Sequence, residues 1–209
     1  SVETGLRGLL LLLIPSSIGL AVLGNELIAV ALQRGAFMPD ATVRAATVLR
    51  YYSIGLFSVG SFTFLQRGYY ACDDYRTPMR VALITVILDV GLSIWLKETA
   101  LGVAGLALAN SIAFTIGLAL YVLPVRRYAP EFSLTRVVHA LLPASLGSGA
   151  AVLVVIAVRG VFTLTGVPSL WWTRGSSLEN LGLLAAEAVP ALVALVVVYR
   201  LFGLDIRSI

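Results

Sequence analysis

The sequence predicts an all-α polytopic membrane protein with about six transmembrane helices. Three observations carry that reading. The 209 residues are 59% hydrophobic, with a mean hydropathy of +0.95. A soluble domain of this length has too much surface to hide so much apolar side chain. The apolar residues fall into six runs, each long enough to cross a bilayer at about 20 residues per span. Charged residues make up only 12% and gather at the ends of those runs. The net charge of +4 and pI near 9.5 therefore read as the Lys/Arg bias of membrane-protein loops, not as a nucleic-acid surface.

The first run covers residues 6–32. Pro15 lies inside it and predicts a kink, either packed or acting as a hinge. Gly24-Asn25-Glu26 is a candidate interruption. Gly35 then stops the helix, and Asp40 is placed to cap the next. The second run covers residues 40–68. It carries Arg44 and Arg50, then Gly55, Ser58, Gly60 and Ser61, small residues that let helices approach closely.

A hydrophilic hairpin, Tyr69-Tyr70-Ala71-Cys72-Asp73-Asp74-Tyr75-Arg76-Thr77-Pro78, separates the second and third runs. Thr77 and Pro78 read as N-cap and first helical residue. The third run, 78–96, holds Asp89 near its midpoint. The fourth, 102–125, is rich in Gly, Ala and Ser. The fifth, 134–158, contains His139 and Pro143. The connection 159–177 reads as an interfacial loop anchored by Trp171 and Trp172. The sixth, 178–202, contains Glu187 and Pro190.

Six spans put both ends of the segment on one side. That side receives nine of the fifteen Lys and Arg residues, which predicts a cytoplasmic C-terminus. The chain opens at Ser1, just before a span and without Met, so it is expected to be part of a longer protein.

Catalytic chemistry has little to work with. One His and one Cys exclude His-rich zinc sites, Cys clusters and internal disulfides. His139 with Ser145 or Ser148 lacks a third group to orient the base. Ionisable residues within spans are the better candidates, because they are costly there and face cavities, ions or partners. Asp89 leads. With Thr85 one turn earlier it can hold Na⁺ or a proton, or it can be a protonated or Arg-paired structural residue. Arg50, with Arg44 ahead of it, can line an aqueous cavity for an anionic substrate. It can equally snorkel, or pair with Asp89 or Glu187. Glu187 either sits in a groove or pairs.

Three patches together resemble the MurJ (MviN) lipid II flippases of the MOP exporter superfamily. They are Leu32-Gln33-Arg34-Gly35-Ala36-Phe37, the run containing Tyr70, Asp74, Arg76, Thr77 and Pro78, and the Gly102-Val103-Ala104-Gly105-Leu106-Ala107 helix start. The resemblance implies a fold of fourteen helices, of which this chain holds the ninth to fourteenth. Residues 1–129 are then the last four spans of the second lobe. Residues 130–209 are two further spans that form a groove for a polyprenyl tail, with Glu187 beside it.

The resemblance also implies a site for Na⁺, where sodium is used, with Asp89 at its acidic position and Thr85 where an Asn is expected. Coupling is to Na⁺ or to the membrane potential, with no other cofactor. The implied partners are lipid II (the undecaprenyl-linked precursor), membrane lipids and the preceding lobe of the same protein, with no nucleic acid. The implied location is the bacterial inner membrane. The expected function is non-enzymatic translocation of lipid II, with Tyr70 to Pro78 acting as a structural loop. The alternatives are another exporter of the superfamily, for drugs or polysaccharide lipids, and a non-transporting scaffold.

Overall fold

A computed structural model describes residues 2–33, 38–130, 132–167, 172 and 177–204. The described residues form α1 (Val2–Val22), α2 (Gly24–Leu32), α3 (Pro39–Ile54), α4 (Leu56–Ala71), α5 (Arg76–Lys97), α6 (Val103–Val122), α7 (Leu134–His139), α8 (Leu141–Leu164) and α9 (Ser177–Leu201). Five stretches are long and apolar enough to cross a membrane: α1, α5, α6, residues 135–164 and α9. The pair α3–α4, bent by 49°, adds a sixth. Large apolar side chains face outward along these helices, among them Leu83, Ile87, Ile94, Leu153 and Val193. That outward face is what a helix solvated by lipid presents.

The spans pack through small residues. Along α6, Ala104, Gly105, Ala107, Ala109, Ser111, Ala113 and Gly117 are buried, and α5 lies against it. A Cβ on Gly105 would stand 2.6 Å from the backbone oxygen of Leu96, so only glycine admits this approach. The α8–α9 pair packs against α1, with α9 also touching α2.

Two spans are broken, and each break has a cause. At Gly55 the amide turns back to the Tyr52 carbonyl at 3.1 Å, which leaves the Tyr51 carbonyl without its helical donor. The Ser111 hydroxyl of α6 supplies one at 2.8 Å. Ser17 of α1 donates to the neighbouring Ser53 carbonyl. A Cβ on Gly55 would lie 2.6 Å from the Ser111 Cα, so the corner seats directly on α6. The second run is thus two helices with a bend between them rather than one straight helix, and the apolar pattern continues unbroken through that bend.

The first span breaks at Leu23, between α1 and α2, at the predicted Gly24 interruption. Pro15 lies within α1, which continues as helix past it. A proline has no N–H for the carbonyl four residues back. That carbonyl, on Leu11, accepts instead from the Tyr199 hydroxyl of α9 at 2.6 Å.

Several helix ends differ from expectation. Asp40 is not a cap: Met38 precedes the helix, Pro39 opens it and Asp40 lies in its first turn. Helix α5 starts at Arg76, ahead of Thr77 and Pro78. The fifth run divides into α7 and α8, and α8 continues past Arg159 to Leu164. Trp172 is no interfacial anchor. It is 4% exposed, packed with Leu23, Ala29, Val155 and Leu184. Arg34, Gly35, Ala36, Phe37, Trp171, Arg174, Asp205 and Arg207 lie outside the described residues.

Candidate functional site

An apolar groove of about 720 Å³ runs between α1, α8 and α9. Its walls include Pro15, Gly19 and Leu23 of the first span, Ala151 and Val155 of α8, and Leu192 and Leu195 of α9. The fifth and sixth runs were expected to form a groove by themselves. The structure adds the first span as the third wall.

The groove exists because of sequence features local to each helix. Gly19 has no side chain, and a Cβ there would meet nothing within 4 Å. Ser148 is buried, yet its hydroxyl is spent on the Ala144 carbonyl of its own helix at 2.6 Å. Near one end stands the Tyr199–Leu11 hydrogen bond. At the other lie Val22, Leu23 and Leu27.

Three charged residues gather at that second end. Arg159 Nη2 donates to Glu26 Oε1 at 2.7 Å and to Glu187 Oε2 at 3.1 Å, and its Nε also donates to Glu187 Oε2 at 3.2 Å. Glu187 is fully buried, Glu26 is 5% exposed and the Arg159 side chain is partly exposed. Two carboxylates at this depth need a shared cation, since an isolated buried charge is costly. Glu187 is therefore paired, but with Arg159 rather than with Arg50. The pairing joins the first run, the 159–177 connection and the sixth run, so the sequence alone did not reveal it. Its only signal was three charged residues in otherwise apolar stretches.

Arg50 is half-buried on α3, and its Nε donates to the Ala21 carbonyl at 3.1 Å. Arg44, on the same helix, is exposed. The two are not brought together by any contact.

Asp89 is half-buried on α5, and its Oδ1 is enclosed with no hydrogen-bond partner among the described residues. No arginine among them pairs with it. Thr85 is buried against Gly117 of α6, and its hydroxyl donates to the Val81 carbonyl at 2.8 Å. No group of three or more His, Cys, Asp or Glu residues gathers among the described residues. Asp89 thus offers one enclosed acidic oxygen, and a complete cation shell would need further donors.

In the hairpin, Asp74 Oδ1 accepts from the Arg76 and Thr77 amides at 3.1 and 3.0 Å, and Oδ2 accepts from the Tyr128 hydroxyl at 3.0 Å. Asp74, not Thr77, therefore holds the start of α5. The Thr77 hydroxyl and amide, then Tyr128 and the Arg76 amide, keep its carboxyl down at about 2. The same bond pushes the Tyr128 hydroxyl up. Tyr70 stacks on Tyr75 at 5.8 Å, Arg76 is exposed and Pro78 is buried. His139 is exposed on α7, and the Ser145 and Ser148 hydroxyls bond within their own helix.

A family model described as "Lipid II flippase MurJ" matches residues 1–180. The chain belongs to the MurJ family. A relative from Thermotoga maritima, described as a probable lipid II flippase MurJ, is 32% identical over 153 residues, covering 73% of this chain and 30% of its own length. One from Borreliella burgdorferi is 24% identical over 96% of this chain and 38% of its own. A solved structure, "Lipid II flippase MurJ, inward closed conformation", superposes with TM-score 0.69 at 23% identity, over 97% of this chain and 39% of that one. At that identity the superposition shows the fold alone. The chain spans about a third of the length of these relatives. MurJ proteins are membrane transporters, not enzymes, and this segment is a multi-pass membrane unit of that family.

Proposed function

We propose that this segment is the tail-binding part of a transporter that moves lipid II between bilayer leaflets. The observation that carries the proposal is the apolar groove between α1, α8 and α9. Its volume lies in the range of pockets that hold elongated small ligands, so it takes part of a polyprenyl chain. Its charged end holds two carboxylates on one guanidinium, Glu26–Arg159–Glu187, so it offers an anion no free positive charge. An anionic headgroup has no reason to enter there, and it belongs in a hydrated cavity on the other side of the first span. Arg50 faces that role from α3, with Arg44 nearer the helix start. Rocking of two lobes around such a cavity gives alternating access. Membership of the MurJ family supports the substrate.

Asp89 is our choice for ion coupling, through Na⁺ or the membrane potential, with Thr85 beside it. An enclosed carboxylate oxygen without a donor is costly unless something binds it. We place the complete protein in the bacterial inner membrane with its C-terminus cytoplasmic.

Rescue of a flippase-depleted bacterium by the complete gene tests the transport reading. Growth with normal wall synthesis is expected, and failure of a well-expressed gene product to rescue would overturn it. In the same strain Asp89→Asn should lower transport and its response to sodium or potential. Transport that keeps its full response in Asp89→Asn removes the coupling role.

A further inference from the structure

The first span has free backbone carbonyls at its end. Because α1 stops at Val22, the Ala21 and Val22 carbonyls lack following amides, while Gly19 still accepts from the Leu23 amide at 2.8 Å. Two arginines from different helices take two consecutive ones. Arg50 of α3 donates to Ala21 at 3.1 Å, and Arg159 of α8 donates to Val22 at 3.5 Å. A cation at a helix C-terminus also meets the negative end of its dipole.

Arg159 does more than cap. Its guanidinium binds Glu26 just past the break and Glu187 on α9. The residues it ties are next to the groove wall. Val22, Leu23 and Leu27 line the groove, as do Val155, one turn before Arg159, and Ala188, beside Glu187. A chain that fills this end must press on the elements Arg159 holds together. Glu26 uses one carboxylate oxygen for Arg159, and Oε2 is buried without a hydrogen bond, so the cluster has a spare acceptor for a rearranged guanidinium.

We propose that Arg159 is a positioning residue that couples the tail groove to the Arg50 side of the first span. This rests on the tail-groove reading above. A diphosphate that draws Arg50 from Ala21 loosens the turn whose next carbonyl Arg159 holds. A tail that parts α8 and α9 from the break loosens the same turn from the other side. Each event then favours the other, and linkage makes the effect reciprocal. On this proposal the break at Leu23 is the element whose equilibrium both ligands bias.

The test is a binding cycle on the complete gene product in detergent, with a polyprenol as tail probe and inorganic pyrophosphate as headgroup probe. Gly19→Leu, which fills the groove, should weaken polyprenol binding. That arm reports the groove reading alone. In the parent, saturating pyrophosphate should tighten polyprenol binding by at least about fivefold, the lower end of typical coupling. In Arg159→Met, polyprenol should still bind, and the factor should fall to about one. Arg159→Lys, which keeps charge but loses the fork, should give an intermediate factor and covers the case where Arg159→Met does not fold. No effect of pyrophosphate in the parent, or the same factor in parent and both variants, would overturn the proposal. Polyprenol that binds the parent and Gly19→Leu equally sinks the groove reading instead, and the coupling with it.

Discussion

At the scale of single residues, the chain repeatedly solves one problem. A carbonyl loses its helical donor inside lipid, and a neighbouring side chain replaces it. Pro15 frees Leu11, and Tyr199 answers. Tyr199→Phe should destabilise the fold by about 1–3 kcal/mol, the usual cost of an unsatisfied buried polar group. Pro15→Ala restores an N–H, so the double variant should recover much of that loss. Denaturant titration in micelles reads the cycle, and additive losses would show that the two residues are not linked. Asp74 meets the opposite need outside the spans, accepting from amides at a helix start. Its carboxyl is held at about 2, below the ordinary 3.8. A depressed carboxylate stabilises the folded state fully above the ordinary value. That stabilisation is lost as pH falls from 3.8 through about 2. The melting-temperature gap between parent and Asp74→Asn should therefore be constant near neutral pH and close across that window. A gap that stays open at the acid end would contradict the hydrogen-bond assignment.

At the scale of elements, bends and close approaches decide the packing. Gly55 lets the α3–α4 corner rest on α6. Gly55→Ala has acceptable backbone angles but drives a methyl into the Ser111 backbone, so we expect a loss of about 1–3 kcal/mol, the range for overpacking. An unfolding free energy equal to the parent's would show that the corner yields easily. This bend was not legible in the sequence. A glycine among serines and aromatics reads as a packing residue, and hydrophobic pattern does not report direction. The spans themselves were legible, because lipid demands one long apolar run per crossing. Arg159 was misplaced for the converse reason. Charge normally ends a span, and only two carboxylates from distant runs let it sit inside α8. Asp74 carried a visible signal, an acidic residue just before a helix start, but Thr77-Pro78 competed with it.

For the whole molecule, four spans pack together, and the α8 and α9 spans add a groove against the first of them. The fifth and sixth runs could be read as a pair from family resemblance. The third wall could not, since nothing in the α1 sequence points toward α9. The central claim is that this groove carries the lipid tail during transport. Gly19 offers the most direct test. Gly19 lines the groove, and a Cβ there meets no neighbouring atom within 4 Å. Gly19→Leu should leave the fold intact or slightly firmer, because leucine is the better helix former by several tenths of a kcal/mol. The decisive measurement is lipid II translocation by the complete gene product in proteoliposomes, parent against Gly19→Leu at matched melting temperature. The account predicts a loss of at least about tenfold, since about 1.4 kcal/mol of blocked tail binding suffices. Translocation at the parent rate by a folded Gly19→Leu protein would contradict it.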